Sequence, residues 1–278
     1  MLPQAYITEW SSLAPWPNPV QVEQDLILSR LLIQIANDEL LGKALAFRGG
    51  TCLQKLHLPS PIRYSEDLDF VRTDSEPQLG AIFDALRSIA AKIGLSEHRR
   101  RFPGRDSDMA TIWFDGEPTE GPGLIRIKIE SNVAETEPYR PFVVRRYSID
   151  SRWWSGEAEV LTCELDDLLG TKLRALYQRR KGRDLFDLWI ALTQLQPDDA
   201  QVVAALGHYM GDAAFSYPQL RRNLQEKLSD PVFIDDIAGL LVEMPDAYSP
   251  HDAALLVLQR LGTHLRNAPI EGEAIALP

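Results

Sequence analysis

Apolar residues recur at close to helical spacing over 20–41, where Val20, Leu26, Ile27, Leu31, Ile33, Ile35 and Leu40 stand among charges and glutamines. That stripe predicts a helix. The stretch before it, through Pro19, mixes Trp10 and Trp16 with prolines and is expected to be largely irregular. A short apolar segment, Ala44 to Phe47, then runs into Arg48-Gly49-Gly50-Thr51, which reads as strand, glycine turn and a short helix carrying Leu53 and Leu56. Beyond Pro59 and Pro61, the segment from Ser65 to Val71 alternates polar and apolar residues and predicts a strand. An amphipathic helix is expected over 78–93. Three more strands are expected over 109–114, 124–130 and 142–149. The clearest is the second, with Ile125, Ile127 and Ile129 on one face.

From about Glu164 the pattern changes to helix throughout, over 164–180, 184–195, 199–210, 217–228 and 251–266. The expected organisation is therefore a mixed α+β domain over 1–163 followed by an α-helical domain over 164–278. With 45% hydrophobic and 25% charged residues, a chain of 278 residues is ordinary for a globular protein and can bury a core without covalent staples.

Charge narrows the field. The formal net charge is −11, which argues against general affinity for nucleic acid or membranes and leaves room for a local basic groove. No apolar run approaches the ~20 residues needed to span a bilayer. The first residues have neither the basic nor the apolar region of a signal peptide. A cytoplasmic protein with no membrane partner is expected. Cys52 and Cys163 lie far apart and outside any C-x-x-C pattern, so two reduced thiols are expected. His57, His98, His208, His251 and His264 show no metal-ligand spacing, and neither a Walker-type phosphate loop nor a G-x-S-x-G elbow is present.

The chemistry gathers around Asp67 and Asp69. Two apart on a strand, their carboxylates share a face while Leu68 and Phe70 turn inward. Such a pair suits a hard cation such as magnesium or manganese; alone, it is as readily a solvated strand face. Gly49, Gly50 and Thr51 upstream would let a backbone approach a phosphate, with the threonine hydroxyl adding a hydrogen bond. Taken singly, they read equally well as a tight turn. Glu130, at the end of its strand and opposite the isoleucines, is the candidate for a third metal ligand or else a solvated acid. Between Lys172 and Arg183 stand six basic residues and no acid. That run is either a phosphate-binding patch or a solvated helix face. Asp184 and Asp187, three apart, would share a helix face and could orient Lys172 or form structural ion pairs. Arg99-Arg100-Arg101, with Arg105 nearby, reads as a charged loop with RNA contact as the alternative.

Two segments resemble a known family. Phe47 to Lys55 with Arg63-Tyr64-Ser65-Glu66-Asp67-Leu68-Asp69 is similar to the first signature of the AbiEii/AbiGii-type toxins, nucleotidyltransferases of the polymerase-β-like superfamily. Lys172 to Leu176 with Arg183-Asp184 and Asp187-Leu188 resembles their second. The resemblance implies a polymerase-β-like nucleotidyltransferase core with a mixed β-sheet, then a helical domain. It also implies a toxin of a toxin–antitoxin or phage-defence system, with a cognate antitoxin and an NTP substrate. Some similar proteins add nucleotides to the 3′ end of tRNA and so block translation. Mapped onto this chain, Asp67 and Asp69 hold magnesium, Lys172 and Asp187 are the essential pair of the second signature, Ser65 is the hydroxyl beside the first aspartate, and Arg183 and Asp184 join the substrate-binding set. Many superfamily members have Gly-Ser where this chain has Gly50-Thr51.

The mechanism expected from these residues is nucleotidyl transfer, with Asp67, Asp69 and Glu130 holding two magnesium ions about 3.5–4 Å apart. The glycine turn and Lys172 would hold the triphosphate. Kinase-like transfer of a γ-phosphoryl group, or nucleotide binding without catalysis, are the competing readings.

Overall fold

The computed structural model describes residues 2–74, 77–105, 107–119, 121, 123–270, 275 and 277. The chain divides into two compact units, Met1–Cys163 and Glu164–Pro278.

The first unit begins with α1 (Gln4–Trp10), where an irregular stretch was expected. Ile7 and Trp10, three apart, are both buried, and the indole N–H of Trp10 donates to Asp25 at 3.0 Å. Tertiary burial of that short face overrides the breakers around it. Helix α2 (Pro19–Ala36) starts on a capping box: the Asn18 side chain accepts from the Val20 N–H, and the Gln21 side chain returns to the Asn18 N–H. Twelve of its residues are buried, among them Leu26, Ile27, Leu28, Leu31 and Leu32, and it packs on the sheet. After α3 (Leu41–Ala44) come β1 (Leu45–Arg48) and α4 (Gly49–Cys52), which continues as one π-helical turn to His57. Gly49, at φ +83°, makes the turn and opens α4 directly after β1. Next are β2 (Asp67–Arg72) and α5 (Leu79–Ala91), then β3 (Ser96–Arg101), β4 (Met109–Gly116), β5 (Ile125–Asn132), β6 (Val143–Ile149) and β7 (Gly156–Thr162).

The seven strands form one mixed sheet in the order β3-β4-β5-β2-β1-β7-β6. Strand β2 pairs parallel with β5 and antiparallel with β1, and β1 pairs parallel with β7. One face carries the core: Leu68, Phe70, Ile112, Phe114, Ile127 and Ile129 are all buried. The register puts Leu68 beside Ile129 and Ile129 beside Ile112. Burying such side chains stabilises the fold by ~1.5–3 kcal/mol each, which is what pins the register. By alternation, Asp67, Asp69, Lys128 and Glu130 all fall on the opposite face.

Two strands escape the sequence pattern. Strand β3 contains the three arginines expected in a loop and is an edge strand. Strand β7 supplies Ala158 and Val160 to the core, and its Thr162 hydroxyl donates to the Phe47 carbonyl at 2.7 Å, joining it to β1. Cys52 and Cys163 are both buried free thiols.

The second unit is helical: α6 (Leu165–Gln178), α7 (Gly182–Gln194), α8 (Asp199–Met210), α9 (Tyr217–Leu228), α10 (Pro231–Asp235) and α11 (Pro250–Arg260). Leu169, Leu173, Leu176, Leu185, Phe186 and Leu188 are fully buried among them. Gly170 lets α6 approach α8, since a Cβ there would lie 2.7 Å from that of Ala205. Among the described residues, no helix is long and apolar enough to cross a membrane.

Candidate active site

Strand β2 carries the central acids. Asp67 and Asp69 share one face of β2, and parallel pairing puts Lys128 beside Asp67 and Glu130 beside Asp69. On the other side, β1 puts Arg48 opposite Asp69. The chain then turns so tightly that Gly49 adopts φ +83°, and a Cβ on it would fall 2.3 Å from Asp69 Oδ2. Glycine is needed there twice over, for the backbone conformation and for the room. The sheet's register and this turn together bring Gly49 and Asp69 into contact.

Thr51 does something other than expected. It is 1% exposed, and its hydroxyl donates to the Asp67 carbonyl at 2.5 Å and lies 2.8 Å from the Ser65 hydroxyl. Both hydroxyls therefore tie the start of β2 to the glycine helix. Through its bond to the Asp67 carbonyl, Thr51 holds the Asp67 backbone in place.

Lys128 joins the site although it belongs to no motif. Its ammonium lies 2.7 Å from Asp67 Oδ2 and 3.0 Å from Glu130 Oε2. The second Glu130 oxygen accepts from Thr111 at 3.3 Å. Both Glu130 oxygens are thus engaged, one by Lys128 and the other by Thr111. Among the described residues, no group of three or more acidic, histidine or cysteine side chains is gathered so as to hold a metal ion. Asp67 and Asp69 supply the hard oxygen donors that magnesium or manganese prefers, and Lys128 already occupies a cation's place against one of them.

Burial pushes the Asp67 carboxyl up to about 6, while Lys128 pulls it down and Asp69 and Glu66 raise it further. Burial also works against the charge of Lys128, but Asp67 and Glu130 outweigh it and hold the ammonium above its usual range. A carboxyl with a raised folded pKa binds its proton more tightly in the native state. Its contribution to stability is present below about pH 4 and is lost as the pH rises towards about 6. In metal-free protein, the side-chain carbonyl resonance of Asp67 should titrate with a midpoint near 6, and Lys128→Met should move that midpoint upward. An unmoved midpoint in the variant would mean that the ion pair does not form in solution.

The second signature lies in the helical unit and is deeply buried. Lys172 on α6 is 5% exposed, and its Nζ lies 2.7 Å from Asp187 Oδ2 and 3.9 Å from Asp184 Oδ1 on α7. Asp184 and Asp187 are wholly buried. Arg179 grips Asp184 in a two-pronged pair at 2.6 and 2.7 Å. Both Asp184 oxygens are thereby engaged by Arg179. Arg183 is half-buried, with its backbone N–H on Asp236 at 3.2 Å and its guanidinium 3.9 Å from the same carboxylate. The run from Lys172 to Arg183 is largely paired: Arg180 with Asp230 and Lys181 with Asp236.

The family described as nucleotidyl transferase AbiEii toxin, type IV TA system, matches residues 30–257. No curated protein matches the chain in sequence. Among solved structures, the chain is similar to MenT4, the nucleotidyltransferase toxin Rv2826c of Mycobacterium tuberculosis H37Rv, with 17% identity and a TM-score of 0.64 over 94% of this chain and 89% of that one. It is also similar to JHP933 of Helicobacter pylori, with 16% identity and a TM-score of 0.51 over 88% of this chain and 89% of that one. At these identities the likeness is one of fold.

Proposed function

The chain belongs to the AbiEii family of nucleotidyltransferase toxins of type IV toxin–antitoxin systems, and from that premise we propose that it transfers a nucleoside monophosphate from an NTP to the 3′ end of an RNA, tRNA foremost, and so blocks translation. The observation that carries the reading is the contact between the Gly49 turn and Asp69, with Asp67 on the same strand face. The Gly49 backbone lies directly against the Asp69 carboxylate, with no side chain between them. Asp67 and Asp69 are the residues that would hold a divalent cation. Such an ion neutralises charge on a transferring phosphate and lowers the pKa of an attacking hydroxyl.

The chain's own residues divide the remaining work. Thr51 and Ser65 fix the Asp67 backbone. Glu130 holds Lys128 beside Asp67, where its positive charge would stand next to a transferring phosphate if Asp67 held a divalent cation. Pre-placed charges of this kind cost no reorganisation during the reaction. Lys172 and Asp187 belong to the second signature of the resemblance and are paired at 2.7 Å. The antitoxin implied by the family is the natural regulator of this chemistry.

The test incubates the protein with total RNA and each of the four NTPs, labelled at the α or the γ phosphate. Label from one α-labelled NTP should enter a small RNA and be released by 3′-exonuclease digestion. No γ label should follow it. Transfer of γ label to RNA or protein would replace this reading with phosphoryl transfer.

A further inference from the structure

The strand face that carries Asp67 and Asp69 does not stop at Lys128 and Glu130. Register extends it across two more strands to the edge of the sheet. Lys128 pairs with Trp113 on β4, and Trp113 pairs with Arg99 on β3. Glu130 pairs with Thr111, and Thr111 pairs with Arg101. Two parallel rows therefore cross the sheet: Asp67, Lys128, Trp113, Arg99, and Asp69, Glu130, Thr111, Arg101. With strands about 4.8 Å apart, each row is roughly 14 Å long. We propose that this face is the track for the acceptor, with Arg99, Arg101 and Trp113 binding the backbone of a single-stranded RNA 3′ end whose terminal hydroxyl reaches Asp67 and Asp69; the inference rests on the function proposed above.

Four features of the edge support a bound anion strand. First, the register of β3 against β4 shifts between Glu97 and Arg99, a bulge that brings Arg99 and Arg101 opposite Trp113 and Thr111. Second, both guanidinium groups sit over the same indole, Arg99 Cζ at 4.1 Å and Arg101 Cζ at 5.8 Å from the ring centroid. A stacked guanidinium keeps its in-plane N–H donors free for phosphate oxygens. Third, both arginines are exposed, and among the described residues neither has a carboxylate partner; Arg101 makes only a 3.3 Å hydrogen bond to Thr111. Their neighbour Arg100, on the core side of the strand, is by contrast spent on Glu97 and Asp84. Fourth, the sign of charge runs from basic at the edge to acidic at the centre, in a chain of net charge −11. Phosphodiesters are drawn to the edge and repelled by the acids, so a strand lies with its uncharged terminal hydroxyl inward. Guanidinium and indole planes also suit unstacked bases.

The experiment uses the full chain and a fluorescent single-stranded RNA oligonucleotide without NTP, then a labelling assay on the RNA that wild type modifies. Arg99→Ala with Arg101→Ala should weaken RNA binding at least ~10-fold and flatten the log–log salt dependence by about 1.4, two phosphate contacts at about 0.7 each. In the labelling assay, KM for RNA should rise by a similar factor, with KM for NTP unchanged. Arg99→Lys with Arg101→Lys should recover the salt slope but not all of the affinity. Arg100→Ala serves as the control and should leave RNA affinity within twofold. Unchanged RNA binding and salt slope in the double alanine variant, with only its tendency to aggregate altered, would overturn the track and make the arginines guards of an exposed sheet edge. If wild type labels no RNA, the proposed function fails on that assay; oligonucleotide binding that depends on Arg99 and Arg101 would still uphold the track, and its absence would overturn it.

Discussion

Asp69→Asn should lower nucleotidyl transfer by about 1,000-fold and leave the fold intact. The asparagine keeps the shape that packs against Gly49, where Asp69 Oδ2 stands 2.3 Å from the position of a Cβ, so the loss is one of charge. A cation ligand at the transferring phosphate is worth several kcal/mol of transition-state stabilisation, and about 4 kcal/mol is a factor of about 1,000. Asp67→Asn has an effect of the same order and one more consequence: Lys128 loses the partner at 2.7 Å and keeps Glu130 at 3.0 Å. The measurement is initial-rate transfer from the α-labelled NTP, with circular dichroism and thermal midpoints beside it. Both variants should melt within a few degrees of wild type and bind RNA oligonucleotide as well as wild type does, since Arg99 and Arg101 are untouched. Transfer within tenfold of wild type in either variant would remove the aspartates from the chemistry. A side chain at Gly49 attacks the same arrangement from the other side, through both a φ of +83° and the collision with Asp69.

The part of this site that was legible in the sequence is the part encoded by spacing within one element. Asp67 and Asp69 alternate with buried Leu68 and Phe70 on a single strand, and period two is enough to put both acids on one face. The Ile125, Ile127 and Ile129 alternation likewise identifies β5 and its outward positions. What spacing cannot supply is register between strands. Lys128 faces Asp67, and Trp113 faces Lys128, only because β2 runs parallel to β5 and β4 antiparallel to it. The strand order, with β1 between β2 and β7, depends on such non-local pairing as well. Strand β3 was hidden because Ser96–Arg101 contains no apolar residue; an edge strand needs none. Strand β7 did alternate, with Glu157 and Glu159 outward and Ala158 and Val160 inward, but Ala158 is too small to mark the pattern. The Thr51 hydroxyl reads as a phosphate donor in one dimension, and in three it is enclosed by Asp67 and Ser65.

Asp187→Ala should cost the helical unit ~3–5 kcal/mol, because it strands a buried ammonium. Lys172 is 5% exposed, its carboxylate partner at 2.7 Å would be gone, and Asp184 is 3.9 Å away with its oxygens committed to Arg179. Coulomb attraction to Asp184 softens the loss without replacing a charge-assisted hydrogen bond. Denaturant unfolding followed by circular dichroism reads the destabilisation as a lower midpoint at unchanged slope. Paired replacement separates structure from chemistry. Lys172→Met with Asp187→Leu removes both charges and keeps the volume, and apolar substitutes for a buried ion pair are commonly neutral or stabilising. The double variant should therefore regain stability to within about 1 kcal/mol of wild type; transfer that stays at least ~100-fold down at restored stability would give the pair a role beyond holding α6 against α7. Recovery of activity together with stability would confine Lys172 and Asp187 to holding α6 against α7, and the chemistry would then rest on the residues of β2 and β5 and the glycine turn.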